Sequence, residues 1–337
     1  MRTRRSILLA CALLPVFTTA ALGAEKAPTP VKIFILAGQS NMEGHGRIEG
    51  DQQGTLETLS KDPATADRFK HLLAKDGSWV ERDDVWITWH DKKGPLAIGG
   101  YAGRGAIGPE LGFGWAVGAY LDESVLLLKF GPGGTSLAGP WRPPSSGEHP
   151  SKKPRGPGVG DQYDHMITSV KKQLQNIGAD FPELAGRKVE LAGFGWHQGW
   201  NDGCSKPDCL TYEKNMANFI RDVRKDLGAP NLPFVIAGSG FGGWGQKIDR
   251  RLMIMSAQEA VTNYDEFIGN TRYVETRSFF RDGPVSPRPI RYHWCCNAET
   301  YWLIGDGMGR AMVELLDGPK APANPTGPDD SPGSAAR

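Results

Sequence analysis

Four short polar stretches of this sequence carry side chains that could do covalent chemistry. One places Ser40 between a glutamine and an asparagine (GQSNM, 38–42), one is rich in glycine (131–136), one is dense in amides and carboxylates (196–202), and one holds a histidine (292–294). A nucleophile, its base, and N–H donors for a developing oxyanion are what acyl transfer requires. The residue types therefore indicate acyl-transfer chemistry centred on the serine.

Three of these stretches follow predicted strands, and the fourth precedes a predicted helix. Five apolar runs are typical of buried strands: Lys32–Ala37, Val125–Phe130, Val189–Trp196, Phe234–Gly238 and Arg272–Thr276. They are apolar on both faces, which favours a parallel sheet covered by helices. Helical patterns lie between them, and the last predicted helix begins at Asn297, a good N-cap residue, and ends near Leu316. We predict a doubly wound α/β sheet, in which ligands bind beyond the carboxyl ends of the strands.

The order of these motifs resembles that of the SGNH hydrolases. A serine comes early, then a glycine, then Gly-x-Asn-Asp, then a late histidine. More narrowly, GQSNM, the GGTSL stretch with its later tryptophan (133–141), WHQGWND (196–202), Ala257-Gln258 and HWCCNAETYWLIG (293–305) resemble the sialate O-acetylesterase and acetylxylan esterase group, which is carbohydrate esterase family 6-like. The resemblance runs from about Val31 to Leu316.

The resemblance implies a three-layer α/β/α sandwich, flavodoxin-like, with a five-stranded parallel sheet. It also implies that a serine esterase removes O-acetyl groups from carbohydrate, such as xylan or sialic acid, without metal or cofactor. Carried over by position, Ser40 matches the nucleophile and His293 the general base. The matching oxyanion donors are Gly134, Asn201 and Gln198, and the predicted substrate-binding residues are Gln39, Asn41 and Trp200.

Two positions depart from the family pattern. Trp200 stands where the family usually has a glutamate, and Ile290 stands where the acid that orients the histidine is expected. A hydrophobic side chain cannot orient an imidazole. We predict Asp282 as the displaced acid, and the alternatives are Glu275, Glu299 or a working Ser–His dyad. Asp202 could instead steady the oxyanion loop.

The remaining histidines and the cysteines are interpreted separately from the predicted site. Six further histidines are predicted to be mostly surface or structural, with His197 the exception because it shares a loop with Gln198. Outside the N-terminal segment there are four cysteines, an even number that favours disulfides in an exported chain. A Cys204–Cys209 bridge is the first expectation, which would leave the adjacent Cys295-Cys296 pair. A metal site that uses His293, Cys295 and another cysteine is a rival, although no spacing matches a zinc pattern.

The two ends of the chain are predicted to lie outside the fold. Three arginines precede an apolar run and small residues, which is typical of a signal peptide over residues 1–24. Residues 319–337 are rich in Pro, Ala, Gly and Asp and are predicted to be disordered. The esterase domain is predicted to span residues 30–318. We therefore expect an exported protein, periplasmic or secreted.

The composition argues against some partners. With 39 basic and 38 acidic residues the formal net charge is +1. We therefore expect no strong positive electrostatic potential that would attract nucleic acid or an anionic membrane. The expected partner is an O-acetylated carbohydrate, and the oligomeric state stays open. Two alternatives also stay open. One is a weakened or inactive carbohydrate-binding relative of the esterase fold, and the other is a hydrolase of another ester.

Overall fold

A computed structural model describes residues 29–149 and 158–318 of the chain. The predicted signal peptide (1–24) and the predicted disordered tail (319–337) lie outside the described residues. In the part that is described, no helix has both the length and the apolar character needed to cross a membrane.

A central sheet of seven strands organises the molecule, in the order β4-β3-β6-β1-β7-β8-β9. All neighbours in it are parallel except β4, which is antiparallel to β3 at one edge. Two further short strands, β2 and β5, pair with each other. The strands are β1 Val31–Gly38, β2 Gly46–Arg47, β3 Val85–Trp89, β4 Lys92–Pro95, β5 Ala106–Ile107, β6 Ser124–Phe130, β7 Val189–His197, β8 Phe234–Ala237 and β9 Thr271–Val274.

Helices cover both faces of this sheet. The α-helices are α1 Ser40–Glu43, α2 Leu56–Lys61, α3 Ala66–Phe69, α4 Pro109–Tyr120, α5 Asp161–Gln175, α6 Lys206–Asp226, α7 Asp249–Ala260 and α8 Ala298–Leu316. Successive side chains of a strand point to opposite faces. Accordingly, Phe34 and Leu36 of β1 pack with α4 and α8, whereas Ile33 and Ile35 pack with α5, α6 and α7. The three-layer α/β/α prediction is therefore confirmed.

The number of strands differs from the prediction. The five predicted strands are present as β1, β6, β7, β8 and β9, and β3 and β4 extend the sheet beyond β6 to give seven. The sequence VWITW of β3 alternates between buried and half-buried residues, so it lacks the continuous apolar run that marked the others. The β4 residues Lys92 to Pro95 bury almost nothing, as is common for an edge strand that carries lysine and proline.

The last helix begins as its sequence predicts. Asn297 is the N-cap of α8, and its side chain accepts a hydrogen bond from the Thr300 N–H at 3.2 Å. This helix packs closely against α4, because a Cβ built on Gly305 would lie 2.1 Å from the Pro109 carbonyl oxygen. The helix that follows the late histidine is thereby fixed against the sheet.

Candidate active site

The structure brings Ser40 and His293 into hydrogen-bonding contact. Ser40 is the first residue of α1, directly after β1, and its side chain is 9% exposed. The Nε2 atom of His293 lies 3.1 Å from the Ser40 Oγ atom, although 253 positions separate the two residues. This distance is within the range for proton transfer between a nucleophile and its base.

An unusual turn presents His293 to the serine. Trp294, Cys295 and Cys296 follow it with left-handed φ angles of 50°, 53° and 55°. Such angles in non-glycine residues cost roughly 1–3 kcal/mol each and persist only when surrounding contacts enforce them. The Trp294 side chain is fully buried and packs on Phe241 with ring centroids 4.8 Å apart. The buried indole therefore helps to hold the turn, and with it the histidine.

No carboxylate orients His293 among the residues that the structure describes. Asp282, the predicted acid, is exposed and pairs with Arg291 Nη2 at 3.0 Å. Glu275 accepts hydrogen bonds from the Arg277 side chain. Both oxygens of Glu299 are held by arginines, Arg68 and Arg281. Asp282 was predicted to orient His293, but it does not lie beside this histidine. All three candidate carboxylates form ion pairs with nearby arginines instead.

Two other contacts position the histidine. Its ring stacks on His45, with centroids 3.8 Å apart and planes 15° from parallel. The Asn41 side chain donates to the carbonyl of Tyr292 at 2.9 Å and accepts from the Tyr301 hydroxyl of α8 at 2.7 Å. Asn41 is 1% exposed, so it tethers the histidine segment from inside rather than facing a substrate as predicted.

Burial favours the neutral form of both rings of this stack. Burial lowers the pKa of His293 below its usual 6.5. Burial, and then the neighbouring His293, Arg47 and Lys129, lower the pKa of His45 to about 4. Since only a neutral imidazole accepts a proton, burial of His293 favours the form that a general base needs.

Gln39, which precedes the serine, forms hydrogen bonds with the loop after β7. It is 1% exposed, and its Oε1 accepts from Gln198 Nε2 at 3.1 Å, from the Gly199 N–H at 3.2 Å and from the Asn201 N–H at 3.3 Å. Its Nε2 donates to Asn201 Oδ1 at 3.2 Å. Gln39 was predicted to bind substrate, but every one of these contacts is internal.

Gln198 is also committed to internal contacts. Its Nε2 donates to the Thr135 carbonyl at 3.2 Å and to Asp202 Oδ2 at 2.6 Å, in addition to Gln39. With three protein acceptors for two N–H groups, this amide has no donor left for an oxyanion. The hydrogen bonds of Gln198 therefore do not agree with its predicted role as an oxyanion donor. They connect the loops after β1, β6 and β7 to one another.

Asp202 steadies the glycine-rich loop, which was the alternative role considered for it. It is fully buried and accepts from the N–H groups of Leu137 and Ala138, each at 2.9 Å. Burial raises the pKa of this carboxyl to about 6, even though these hydrogen bonds favour its charged form. The β7 loop thus holds the β6 loop in place.

The glycine-rich loop runs beside the serine. A Cβ built on Gly133 would lie 3.7 Å from the Ser40 Cβ, whereas one built on Gly134 would meet nothing within 4 Å. Gly134 has a left-handed φ of +74°, and its carbonyl accepts from the Asn201 Nδ2 at 2.5 Å. Gly134 and Asn201 therefore lie together at the open side of the site.

Aromatic side chains line the approach. Trp200 is partly exposed and lies 5.3 Å, centroid to centroid, from Tyr292, which is 44% exposed. The Arg251 guanidinium sits over the Trp200 ring at 3.5 Å. Partly exposed aromatic side chains can stack against sugar rings, so the substrate-binding role of Trp200 stays a prediction.

The structure shows where two further histidines lie relative to the site. His45 was counted among the surface or structural histidines, although it lies in the same GQSNMEGHG stretch as Ser40. His197 is fully buried, with its Nδ1 3.4 Å from the Ala237 carbonyl and a pKa lowered to about 4 by burial, so it is a core residue.

Neither disulfides nor metal ligands are present in the site. Cys204, Cys209, Cys295 and Cys296 are all free thiols, so the expected Cys204–Cys209 bridge is not formed. The Cys209 Sγ is instead buried against the Asp202 carbonyl at 3.4 Å, and Cys204 is exposed. Across residues 29–149 and 158–318, no cluster of three or more His, Cys, Asp or Glu residues is arranged to hold a metal ion.

Comparison with known proteins finds a matching family model and a related plant protein. Residues 30–279 match the family model described as "Carbohydrate esterase, sialic acid-specific acetylesterase". A "Probable carbohydrate esterase" of Arabidopsis thaliana is 26% identical over 224 residues, which are 65% of this chain and 73% of the plant protein. The family match ends before His293, so the structure is what joins this histidine to the matched region.

Two solved structures share the fold. One is of an Arabidopsis thaliana protein, with a TM-score of 0.53 at 20% identity, covering 85% of this chain and 98% of that one. The other is described as a novel carbohydrate acetylesterase from Xanthomonas citri, with a TM-score of 0.52 at 12% identity, covering 85% of this chain and 56% of that one. At these identities the likeness concerns the fold alone.

Proposed function

Since this chain belongs to the carbohydrate esterase family of sialic acid-specific acetylesterases, we propose that it removes O-acetyl groups from carbohydrate through an acetyl-serine intermediate. The observation that carries the serine mechanism is the 3.1 Å contact between Ser40 Oγ and His293 Nε2. The family membership supplies the substrate class, and the contact supplies a nucleophile with its base.

In the first half-reaction, His293 Nε2 takes the hydroxyl proton as Ser40 Oγ attacks the acetyl carbonyl carbon. The carbonyl oxygen becomes an oxyanion, for which the backbone N–H groups of Ser40 and Gly134 and the side chain of Asn201 are the proposed donors. The tetrahedral intermediate then collapses. The bond from carbon to the sugar oxygen breaks, and the imidazolium returns its proton to that oxygen.

In the second half-reaction, water replaces the sugar. His293 takes a proton from the water as its oxygen attacks the acetyl-serine carbonyl. The ester bond to Ser40 Oγ then breaks, the proton returns to the serine, and acetate leaves. The net reaction is ester plus water to alcohol plus acetate and a proton.

We propose that this site works as a Ser–His dyad. The stack on His45 and the Asn41 tether to the Tyr292 carbonyl supply the orientation that a carboxylate provides in a triad. A lone imidazole can act as a base if its orientation is fixed and its neutral form is favoured. Burial favours the neutral form of His293, because it lowers the pKa.

The test is acetate release by the protein from acetylated xylan, acetylated pectin and O-acetyl sialic acid, beside Ser40→Ala. We expect release that the substitution abolishes. Release that survives in Ser40→Ala would disprove the acetyl-serine route. Release from none of the three substrates would favour the non-catalytic carbohydrate-binding alternative, for which the lack of a carboxylate on His293 is the supporting observation. Faster turnover of long acyl esters would favour a hydrolase of another ester.

We further propose that the chain acts outside the cytoplasm, as its N-terminal sequence predicts. Fractionation of cells that express the full chain would test this, with the mature N-terminus read by mass spectrometry. A protein recovered with its first 24 residues intact and only in the cytoplasm would contradict it.

A further inference from the structure

Trp244, in the loop after β8, is the most exposed tryptophan of this protein. All ten tryptophans lie within the described residues, and the other nine are buried or half-buried. Trp244 is 61% exposed. A single exposed apolar side chain is common on protein surfaces and does not by itself mark a binding site. The evidence for a role of Trp244 lies in how its ring is held and in where it lies.

A guanidinium group holds one face of the Trp244 ring. The Arg277 Cζ atom lies 4.0 Å from the ring centroid, which is a cation–π contact. Arg277 is itself fixed, because its Nε donates to Glu275 Oε1 at 2.9 Å and its Nη2 donates to Glu275 Oε2 at 2.5 Å. Since one face is covered and the residue is still largely exposed, the opposite face is open to solvent. A ring ordered in advance lowers the entropy cost of binding a ligand.

The loop that carries Trp244 is also fixed to its surroundings. Thr276, which follows β9, accepts a hydrogen bond at its Oγ1 from the Gly240 N–H at 3.2 Å. Within the loop, Gln246 Nε2 donates to the Phe241 carbonyl at 2.7 Å. These bonds lie on both sides of Trp244 in the chain, so the backbone and the ring are both held in position.

The same loop connects Trp244 with the aromatic side chains at the active site. Phe241 packs edge-on against Trp200 with ring centroids 5.3 Å apart, and Trp200 lies at the same distance from Tyr292. Trp244 comes three residues after Phe241, so their Cα atoms are at most about 11 Å apart. The loops of Trp200 and Trp244 follow the neighbouring parallel strands β7 and β8. Both tryptophans therefore lie at the carboxyl edge of the sheet, where Ser40 begins α1.

We propose that Trp244 forms a distal sugar-binding subsite. The preferred substrate is then an O-acetylated oligosaccharide or polysaccharide whose chain extends from the reacting ester over Trp200 to Trp244. A pyranose ring presents C–H groups on its faces, and the open face of an indole offers apolar area that matches them. This inference rests on the proposed esterase function. It deepens that function by assigning a residue that recognises the length of the sugar chain.

The experiment measures kcat/KM for O-acetylated xylo-oligosaccharides of two, four and six units and for O-acetylated oligogalacturonates of the same lengths. In the wild type we expect kcat/KM to rise with chain length in at least one series. Trp244→Ala should lower the ratio of kcat/KM for six units over two by about three- to tenfold, mainly through KM, since an aromatic stacking contact contributes affinity of this order. Trp244→Phe keeps an aromatic face and should retain most of the ratio.

Tyr120→Ala is the matched control. Tyr120 is also an exposed aromatic residue, at 43%, but it ends α4 shortly before β6 begins and so lies at the opposite end of the strands from the active site. This substitution should leave the chain-length ratio as it is in the wild type.

The outcomes separate this proposal from the proposed function. An unchanged ratio in Trp244→Ala, or a wild type that hydrolyses short and long oligomers equally, would overturn the subsite while leaving the esterase in place. Faster hydrolysis of monomeric O-acetyl sialic acid than of either series would overturn it too. If no ester is hydrolysed, the proposed function fails, and calorimetry with unacetylated xylohexaose and hexagalacturonate decides on the subsite alone. Binding that Trp244→Ala weakens and Tyr120→Ala keeps would support it, whereas no binding, or equal binding by the two variants, would refute it.

Discussion

At the scale of single residues, the unusual feature of this site is a histidine held by packing and a backbone tether. A carboxylate partner does two things for a catalytic histidine: it fixes the ring, and it stabilises the imidazolium that forms during the reaction. The His45 stack and the Asn41 tether can do the first. These contacts do not stabilise the imidazolium, since burial of His293 disfavours its charged form.

Asp282 offers a direct test of the dyad. We expect Asp282→Asn to leave kcat for 4-nitrophenyl acetate within about twofold of wild type, because the carboxylate pairs with Arg291 and not with His293. His293→Ala is the matched comparison and should lower kcat by about 10²–10⁴, the usual contribution of a general base. A loss in Asp282→Asn that approaches the loss in His293→Ala would restore Asp282 as the triad acid.

The pH dependence of the reaction tests the same point independently. Activity requires neutral His293, so kcat/KM should fall as the pH drops through the pKa of this residue. Burial places that pKa below the ordinary 6.5, and His45, with a pKa of about 4, stays neutral through most of the interval. We therefore expect an acid limb with its midpoint below 6.5. A midpoint above this value would reveal a negative partner that raises the pKa.

At the scale of secondary-structure elements, the contact between α4 and α8 decides where the histidine segment can lie. The helices approach so closely at Gly305 that no side chain fits, since an added Cβ would lie 2.1 Å from the Pro109 carbonyl oxygen. This contact fixes the start of α8, and the left-handed turn at Trp294 to Cys296 joins that start to His293.

Gly305→Ala should destabilise the protein strongly. Overpacking a close contact typically costs about 1–3 kcal/mol, and more where backbone is struck. The gain of roughly 1 kcal/mol from replacing a helical glycine offsets only part of this. Gly307→Ala is the matched control on the same helix, because its Cβ would meet side chains at 3.1 Å and beyond. Urea unfolding should show a clear loss for Gly305→Ala and little change for Gly307→Ala, and equal midpoints would contradict the packing argument.

At the scale of the whole molecule, a buried ion pair joins distant segments beneath the site. The Lys129 Nζ, fully buried at the end of β6, donates to Glu110 Oε2 at 2.6 Å and to the Glu43 carbonyl at 2.8 Å, as well as to the Tyr101 carbonyl. One ammonium group therefore ties the end of α1, the segment before β5 and the start of α4 to the central sheet.

Lys129→Met should lower the free energy of unfolding by about 3–5 kcal/mol, because the buried Glu110 carboxylate then keeps the hydrogen bond from the Gly108 N–H but loses its cationic partner. Glu110→Gln introduced into the same variant removes that charge and should recover part of the loss. Denaturant unfolding of the two single variants and the double variant completes the cycle. A double variant whose loss equals the sum of the two single losses would show that the pair is not coupled.

The sequence by itself determined the elements and the order of the motifs. The five predicted strands and the start of the last helix follow from local patterns, since apolar runs and an N-cap residue depend only on residues close to them in the chain. Local patterning also explains why β3 and β4 were not predicted: β3 alternates between buried and half-buried residues, and β4 is an edge strand that carries lysine and proline. The GQSNM stretch and the late histidine predicted a Ser40–His293 pair, and the structure places these two side chains 3.1 Å apart.

Only the tertiary structure decided which way the site's side chains face and which charges are paired. From the sequence, Gln39 and Asn41 are predicted to bind substrate and Gln198 to donate to the oxyanion, yet all three are buried and hydrogen-bonded within the protein. The stack of His45 on His293 joins residues that are far apart in the chain. Such pairings depend on chain reversals and close helix contacts, whose geometry is not encoded in the spacing of nearby residues.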